Sequence, residues 1–383
     1  MDDEVTPGKV LSNRVIAWCA AGLVVVAAAI GWPLLAVYGL GLEAIRTVGT
    51  IVLGAGGAVG LLLAARRQQT AEQDLVEKRR DLAHKEHAQR HTEADAAERR
   101  ITELYAKAVE QLGADKAAVR LGGLYALERL AQNNQAQRHT VLNVLCAYLR
   151  MPFEPDHEQE KHVRIAAQRI LAQHLRAEPD SDAFWPDVDL DLRGATLFEF
   201  QFQRCRVRSA QFTGAKFDGD ADLGGATFLE RAEFDRTTFT GRARFSDATF
   251  VKDVRIRTAE FRGKARFRGT NFRDEARFTG TRFLDNAWLG EATFRADVWF
   301  TQTRFEQDVR FDGAVFRGSA RFHDATFAWP AERRRRMFRR VWIRPSSRSH
   351  WPPAWTPVAA TDRPAPDTDG VWRQLRYEEP AQL

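Results

Sequence analysis

Large apolar residues recur along residues 192–327 at intervals of five or six, and most positions between them are polar. The interval is five as far as Phe217, and from there it alternates between six and five up to Phe327. Neither interval matches the helical period of about 3.6 residues, and neither is the long alternation of a hairpin strand. A short fixed period of this kind is typical of a solenoid, in which each unit contacts only its neighbours.

A small residue, usually alanine, stands two positions before most of the large ones, as in Ala226-Thr-Phe228 and Ala248-Thr-Phe250. Residues i−2 and i of a strand point to the same side because side chains alternate. We therefore expect the alanine and the phenylalanine of each unit to fill a narrow interior together. The remaining positions point outward, and they are rich in Arg, Asp, Glu, Thr and Gly. The pattern predicts short faces joined by tight corners.

Residues 192–327 resemble the pentapeptide repeat family, whose pattern is A-(D/N)-(L/F)-x-x. The resemblance implies a right-handed quadrilateral β-helix with one repeat on each face and four faces in each coil. This chain departs from the family pattern in two respects. The six-residue step predicts one extra corner residue at every second face, and position i−1 is seldom Asp or Asn.

Four units in each coil would stack every fourth i−1 residue into an outward column. One column consists of Asp222, Arg244, Arg266, Trp288 and Arg310, and the opposite column consists of Glu233, Arg255, Arg277, Trp299 and Arg321. Stacked arginines about 4.8 Å apart repel one another unless they are paired. Four acidic residues lie two positions before column residues and are candidate partners: Asp253, Glu275, Asp297 and Asp308. The columns are therefore either salt-bridged, solvated faces or a surface whose Arg and Trp residues recognise a partner.

Two apolar stretches lie within residues 15–65, the first over Val15–Gly31 and the second over Thr47–Ala65. Each is long enough to cross a hydrocarbon core of about 30 Å, so the pattern predicts a two-helix transmembrane hairpin. Basic residues flank the hairpin on both outer sides, and the positive-inside rule then places residues 1–14 and the rest of the chain in the cytoplasm. Gly56 and Gly60 form a G-x-x-x-G pair and are candidates for packing of transmembrane helices, within the hairpin or between two molecules.

Residues 66–112 contain neither Pro nor Gly and predict a long polar helix, or stalk. Residues 113–184 show apolar residues at helical spacing. The triplets that begin at Val119 and Val163 are alike and recur 44 positions apart, so this region resembles HEAT-type helix pairs. It is expected to cap the solenoid of residues 185–327, with Trp185 sealing the first coil. The whole arrangement resembles membrane-anchored bacterial pentapeptide repeat proteins, a resemblance that implies architecture only.

Residues 328–383 follow the last repeat as a basic cap and a Pro-rich tail. The stretch from Ala331 to Ile343 predicts a short basic amphipathic helix whose apolar residues, including Met337 and Phe338, cover the last coil. Its arginines are candidate contacts for anionic lipid: Arg333, Arg334, Arg335, Arg336, Arg339 and Arg340. The segment from Gly370 to Tyr377 is expected to dock back onto the solenoid.

Composition narrows the possible chemistry. The chain has 383 residues, a formal net charge of +6 and three cysteines far apart in sequence. An odd cysteine count without framework spacing fits a reducing compartment better than a disulfide scaffold. The sequence contains no nucleophile elbow, P-loop, dinucleotide fingerprint or zinc-binding pattern, and its carboxylates are spread evenly along the repeats. We therefore expect no enzymatic activity, no cofactor and no metal.

The sequence favours a membrane-tethered scaffold that presents a cytoplasmic solenoid to a cytoplasmic or membrane protein. A second interpretation is a structural accessory subunit of a membrane complex that acts through the hairpin. A third follows from the family, because some pentapeptide repeat proteins resemble duplex DNA and bind topoisomerases. Such a mimic needs a strongly acidic face, and the arginine columns disfavour it. Lipid is expected as a partner through the two spans, a homo-oligomer is left open, and nucleic acid is not expected.

Overall fold

The computed structural model describes residues 13–38, 42–153, 158–178, 182–328, 336–345, 348–359 and 372–378. The chain divides into two compact units, Met1–Arg100 and Ile101–Leu383. The first unit holds helix α1 (Asn13–Tyr38) and most of helix α2 (Leu42–Leu112), whose end belongs to the second unit. Helix α2 continues without a break through residues 66–112 because that stretch is built from strong helix formers.

The transmembrane prediction for residues 15–65 is wrong. Among the residues that the structure describes, no helix is both long enough and apolar enough to cross a membrane. A spanning helix needs about 20 consecutive, predominantly apolar residues. The finding overturns the two-helix hairpin, the multi-pass membrane location with both termini cytoplasmic, the lipid contact through two spans and the accessory-subunit interpretation. Residues 1–12 of the predicted cytoplasmic N-terminus lie outside the described residues.

Three helices and a short 3-10 helix precede the solenoid. They are α3 (Ala117–Asn133), the 3-10 helix Gln135–Gln137, α4 (Arg138–Arg150) and α5 (Glu158–Leu175). Their buried residues recur at helical spacing, as Leu124 and Leu127 do in α3, so each helix contributes one apolar face to a shared core. The two similar triplets of the sequence lie in α3 and α5. Their assignment to HEAT-type repeats stays a prediction.

Helix α5 caps the first coil through the side chain of Gln168. Its Nε2 atom donates to the backbone carbonyl of Phe198 at 2.7 Å, and its Oε1 atom accepts from the backbone N–H of Phe198 at 2.9 Å. The side chain therefore replaces the strand that a preceding coil would have supplied. Trp185 is also buried, and its ring stacks on His174 of α5 with 4.2 Å between the ring centroids. The first coil is thus sealed by α5 and Trp185 together.

The solenoid is built from very short strands. In chain order they are β1 (Asp189–Asp191), β2 (Thr196–Phe198), β3 (Arg206–Val207), β4 (Ser209–Gln211), β5 (Lys216–Asp218), β6 (Ala221–Asp222), β7 (Thr227–Phe228), β8 (Ala232–Glu233), β9 (Thr238–Phe239), β10 (Ala243–Arg244), β11 (Thr249–Phe250), β12 (Val254–Arg255), β13 (Glu260–Phe261), β14 (Ala265–Arg266), β15 (Asn271–Phe272), β16 (Ala276–Arg277), β17 (Arg282–Phe283), β18 (Ala287–Trp288), β19 (Thr293–Phe294), β20 (Val298–Trp299), β21 (Arg304–Phe305), β22 (Val309–Arg310), β23 (Val315–Phe316), β24 (Ala320–Arg321) and β25 (Thr326–Phe327). Three more follow the repeats: β26 (Trp342–Ile343), β27 (Trp355–Ala359) and β28 (Arg373–Tyr377).

These strands form four sheets, one for each face of the coil. The Trp288 face has the strand order β6-β10-β14-β18-β22, and the Trp299 face has the order β1-β4-β8-β12-β16-β20-β24. The third face has the order β3-β7-β11-β15-β19-β23-β26-β28-β27, and we call it the threonine face after Thr227, Thr249 and Thr293. The fourth face has the order β2-β5-β9-β13-β17-β21-β25. Strands of successive coils pair in parallel, and partners such as Ala243 and Ala265 are 22 positions apart. This four-sided β-solenoid agrees with the architecture that the family resemblance implies.

The interior is filled by the predicted alanine and phenylalanine positions. Phenylalanine rings of successive coils stack face to face on the fourth face, with centroid distances of 4.4 Å for Phe217 and Phe239 and 4.6 Å for Phe239 and Phe261. Each of these rings is fully buried. Stacks of inward apolar side chains, one on each face, therefore hold each coil on the next. Burying a phenylalanine contributes about 1.5–3 kcal/mol relative to leaving it exposed.

The two interval lengths build two kinds of corner. From Phe217 onward, each five-residue step turns through a residue with positive φ, as at Gly225 (67°), Asp247 (59°) and Gly269 (67°). The six-residue steps, such as Phe239 to Phe245, carry one additional residue and pass through a bend. The extra corner residue at every second face is therefore confirmed.

The segment after the repeats closes the far end of the solenoid. Strand β26 pairs in parallel with β23, while β28 pairs antiparallel with both β26 and β27. Phe338 is buried and stacks on Phe311 at 4.9 Å, and Met337 is buried beside it. The predicted amphipathic helix is wrong within residues 336–343, which form a turn and a strand, because this segment continues the coil instead of lying across it. The predicted docking of the final segment is confirmed for Trp372–Tyr377.

Candidate functional site

The register of the sheets places the ten column residues as the spacing predicts. On the Trp288 face, Arg244 lies beside Asp222 and Arg266, and Trp288 lies between Arg266 and Arg310. The second column stacks on the opposite face in the order Glu233, Arg255, Arg277, Trp299 and Arg321. Both columns point outward because the preceding residue of each strand points into the core. The two columns differ in how their charges are compensated.

The arginines of the Trp299 column form ion pairs and cation–π contacts with residues of the same face. Arg255 lies 3.3 Å from Asp253, Arg277 is paired with Glu275, and Arg321 lies 3.1 Å from Asp297. Two guanidinium groups also flank the indole ring of Trp299, since Arg277 and Arg321 each lie 4.9 Å from its centroid. Arginines therefore cover both faces of the Trp299 ring, and ion pairs surround it, although the buried Nε atom of Arg255 has no hydrogen-bond partner among the described residues.

The Trp288 column is compensated less completely. Arg244 lies 3.4 Å from Asp222, but its side chain is 56% exposed. Arg266 lies over the Trp288 ring at 4.9 Å and Lys264 approaches the same ring at 5.9 Å. Within the described ranges, no ion pair joins Lys264, Arg266 or Arg310 to a carboxylate, and the buried Nε atom of Arg266 has no hydrogen-bond partner.

A difference at one sequence position explains this contrast. The residue two positions before each column residue is acidic along much of the Trp299 face, where Asp253, Glu275 and Asp297 supply the ion pairs. On the Trp288 face, Asp220 and Asp308 hold this position before Asp222 and Arg310, but Lys264 and Asn286 hold it in the middle of the column and cannot neutralise an arginine. The middle of the Trp288 column therefore lacks the acidic neighbours that the Trp299 column has.

The Trp288 column forms one wall of a groove with a volume of about 790 Å³. The groove is lined by four arginines, one tryptophan and the residues of the neighbouring corner, namely Arg244, Ser246, Asp247, Arg266, Arg268, Trp288, Gly290, Glu291, Arg310 and Asp312. Asp247 and Glu291 occupy positive-φ corner positions, both with φ of 59°, and with the other corner residues they form the rim of the groove. Glu291 is engaged by Arg268 at 2.8 Å.

Asp312 lies near the end of the groove beside Arg310. Its Oδ1 atom is buried and has no hydrogen-bond partner in the part of the chain that the structure describes. Burial raises the pKa of this carboxyl group above its ordinary value, and the nearby Arg310 and Arg339 only partly oppose the effect. Asp312 therefore combines a buried Oδ1 atom that lacks a hydrogen bond with the positive charges of Arg310 and Arg339 nearby.

The corner residues of the groove were missed by the sequence analysis. It followed only position i−1 of each unit, whereas Arg268, Glu291 and Asp312 follow the large residue of their units. A signal for them was present, because residues at any fixed position of the unit recur every 22 positions on the same face, as the pairing of Ala243 with Ala265 shows. Comparing every outward position of the unit, and not position i−1 alone, identifies the acidic and basic residues at the rim of the groove.

The other candidate residues lie away from the groove. Gly56 and Gly60 lie in α2, and no atom of the described residues comes within 4 Å of a Cβ built at either position. Their assignment to transmembrane packing is wrong because the hairpin is wrong. Arg336, Arg339 and Arg340 are exposed in the turn before β26, and their contact with lipid stays a prediction. The remaining lipid candidates, Arg333, Arg334 and Arg335, lie outside the described residues.

The groove has the chemistry of recognition. Guanidinium groups bind carboxylates and phosphates in fixed geometry, and an indole ring offers a flat apolar surface.

Elsewhere, burial raises the pKa of the Cys146 and Cys205 thiols to about 12, so both remain protonated and unreactive. Across the described residues, no group of three or more His, Cys, Asp and Glu side chains is arranged to hold a metal ion.

Comparison with known proteins agrees with the repeat pattern. A family model for pentapeptide repeats (9 copies) matches residues 202–249, 212–259 and 256–303. No curated protein and no solved structure matches the chain. The matched residues include the strands that carry Asp222, Arg244, Arg266 and Trp288, whereas Arg310 lies beyond them. The β-solenoid of this chain is therefore built, over residues 202–303, from pentapeptide repeats.

Proposed function

We propose that this chain is a non-enzymatic scaffold whose solenoid binds a protein partner through the groove on the Trp288 face. The observation that carries the proposal is the contrast between the two columns. Two paired arginines enclose Trp299, whereas Trp288 lies in a groove beside Arg266, which makes no ion pair with a carboxylate of the described residues. Arginine and tryptophan are enriched among the residues that dominate binding energy at protein interfaces.

The solenoid suits a scaffold because it is rigid before a partner arrives. Its coils are joined by parallel ladders on four faces and by continuous stacks of buried rings, such as those containing Phe239 and Phe261. Side chains on such a surface are already positioned, so binding costs little ordering of the backbone. The threonine and fourth faces, together with the groove, leave several surfaces for assembly, and a second copy of the chain is one candidate partner.

Mimicry of duplex DNA is a weaker candidate. A mimic of DNA needs a dense negative face, because the phosphate charge dominates recognition of DNA. The Trp288 face instead carries Arg244, Arg266 and Arg310. On the threonine face, Arg295 follows Arg273 by one coil and donates its backbone N–H to the carbonyl of Phe272, so arginines stack there as well. Two cationic columns on adjacent faces argue against the mimic.

The test is a comparison of partners captured by three forms of the full chain. The first is the unaltered chain, and the second carries Arg266→Glu and Arg310→Glu in the groove. The third is a charge-matched control with Arg295→Glu and Arg304→Glu, which reverses two exposed arginines on the other faces. We expect at least one protein to be lost selectively from the groove variant in quantitative mass spectrometry. Identical sets of captured proteins for the groove and control variants would refute the assignment of function to the groove.

A further inference from the structure

The groove also indicates what kind of segment it binds. We propose that its ligand is an extended acidic segment of the partner, which lies along the solenoid axis and carries two acidic residues four positions apart with an aromatic residue midway. The inference rests on the proposed function and names the chemistry of the partner. It follows from the spacing of the column, from its charge and from the two faces of the Trp288 ring.

The spacing of the column fits a β-strand running along the axis. Neighbouring coils are about 4.8 Å apart, so Arg244 and Arg310, three coils apart, are separated by about 14 Å. In an extended strand, residues i, i+2 and i+4 point to one side, and i and i+4 are about 13 Å apart. Acidic residues at i and i+4 therefore reach Arg244 and Arg310. Residue i+2 then lies opposite the midpoint of the column, between Arg266 and Trp288.

The charges on the column select an acidic ligand. Arg310 is exposed and can exchange water for a carboxylate of the ligand. Arg244 is mostly exposed and can exchange its 3.4 Å ion pair with Asp222 for such a carboxylate. Arg266 and Lys264 add positive charge midway along the column. Carboxylate–guanidinium contacts at a partly desolvated surface are charge-assisted and can be bidentate, which gives orientation as well as affinity.

The Trp288 ring supplies an aromatic subsite. Arg266 and Lys264, which cover this ring, both belong to the preceding coil. Arg310 of the following coil makes no cation–π contact with it among the described residues, in contrast to Arg321, which covers the second face of Trp299. One face of Trp288 is therefore directed toward the groove. An aromatic side chain at i+2 can pack there in an offset or edge-to-face arrangement.

The opposite rim confines the ligand to the column. Asp247, Glu291 and Asp312 lie along that rim, and they repel a segment that carries acidic residues. The carboxylate of Glu291 is partly neutralised by Arg268, whereas Asp312 lacks a partner for its buried oxygen. Asp312 therefore weakens binding of an acidic residue at Arg310, and its removal is expected to strengthen that binding.

The experiment measures binding of labelled peptides to the full chain by fluorescence anisotropy. The test peptide has the core Glu-Ser-Phe-Ser-Glu between Gly-Ser flanks. One control peptide replaces both glutamates by lysine, and another places both glutamates next to each other while keeping the composition. We expect the test peptide to bind roughly tenfold more tightly than either control, and we expect its affinity to fall as salt is raised.

Variants of the protein locate the binding to the groove. Arg310→Glu is expected to weaken the test peptide by roughly tenfold or more and Trp288→Ala by roughly tenfold, while Asp312→Asn tightens it a few-fold. The matched controls are Arg304→Glu and Trp299→Ala, which are expected to leave the affinity within about twofold. The far-UV circular dichroism of each variant is compared with that of the unaltered chain.

Two results would overturn the inference. One is equal binding of the two glutamate peptides, which would show that the spacing is not recognised. The other is equal weakening by Arg304→Glu and Arg310→Glu, which would show that the groove is not the site. If neither glutamate peptide binds but a protein partner is still lost with the groove variant, the ligand chemistry is wrong while the proposed function stands. If the captured partners are also unchanged, both are wrong.

Discussion

Two adjacent glycines in α3 offer a sensitive test of how the helical cap is packed. Gly122 is exposed, and a Cβ built there meets no atom within 4 Å. Gly123 is buried, and a Cβ built there would lie 2.7 Å from the carbonyl oxygen of Ala108 and 2.7 Å from the backbone nitrogen of Leu112. Both of those atoms belong to the backbone of α2, so they cannot rotate away as a side chain would. The two positions therefore share a helix and a residue type but differ in environment.

The same substitution should have opposite effects at the two positions. Gly122→Ala stabilises the cap by about 0.5–1 kcal/mol, because alanine loses less backbone entropy than glycine in a helix interior. Gly123→Ala gains the same propensity, but α2 must retreat by roughly half an ångström and lose packing at Ala108 and Leu112. Overpacking of this kind costs about 1–3 kcal/mol, so Gly123→Ala is destabilising. Because the gain in propensity is common to both, the two variants should differ by the overpacking cost, about 1–3 kcal/mol.

Native-state amide hydrogen exchange measures this difference locally. The exchange of α3 amides around Leu124 and Leu127 reports the free energy of opening the cap, without requiring that the whole chain unfold as one unit. A difference of about 1–3 kcal/mol corresponds to roughly 5-fold to 150-fold faster exchange in Gly123→Ala than in Gly122→Ala. If both variants slow exchange to the same extent, the close approach of α2 and α3 is refuted.

Three further outcomes can be checked. Gln168→Ala should accelerate amide exchange in β2, because it leaves a backbone N–H and a carbonyl of the first coil without partners, at a cost of about 2–4 kcal/mol; unchanged exchange would contradict its capping role. Arg242 holds the pKa of Asp220 below its ordinary value. This pair therefore stabilises the fold fully above about pH 4 and less as the pH falls through the lowered pKa. An NMR titration should show a higher pKa for the Asp220 carboxyl in Arg242→Gln, and an unchanged pKa would contradict the pairing. Alkylation at pH 8 should label the exposed Cys19 and spare the buried Cys205, whose pKa is raised to about 12; equal labelling in the folded chain would contradict the burial.

Local rules predicted the solenoid well and the two ends less well. The alternation of side chains on a strand and the constant interval between Phe239, Phe250 and Phe261 determine which residues point inward, so the sequence alone indicated the core. The end segments carry no repeat, and their structure depends on which surface they can cover. Residues 336–343 have a helical apolar pattern, yet they form a turn and a strand because the last coil offers an unpaired edge and a ring stack at Phe311.

Hydropathy likewise misled the analysis of the first unit. The stretches Val15–Gly31 and Thr47–Ala65 are uncharged, and this property alone predicted two spans. The structure instead places the second stretch and the following polar residues in one helix, α2, and finds no helix among the described residues that is suited to cross a membrane. An uncharged run of residues is necessary for a span, but it does not by itself make one.

The sequence by itself determined the columns, because a repeat of constant length brings every fourth unit onto the same face. That is why the sequence alone places Trp288 and Trp299 on opposite faces. Only the tertiary structure decided which indole ring arginines cover on both faces and which one lines a groove. That outcome depends on distances between side chains of different coils, such as 4.9 Å from Arg321 to the Trp299 ring, and a one-dimensional period contains no such distances. Pairing of charges across coils is a property of the packed solenoid, and so is the candidate site.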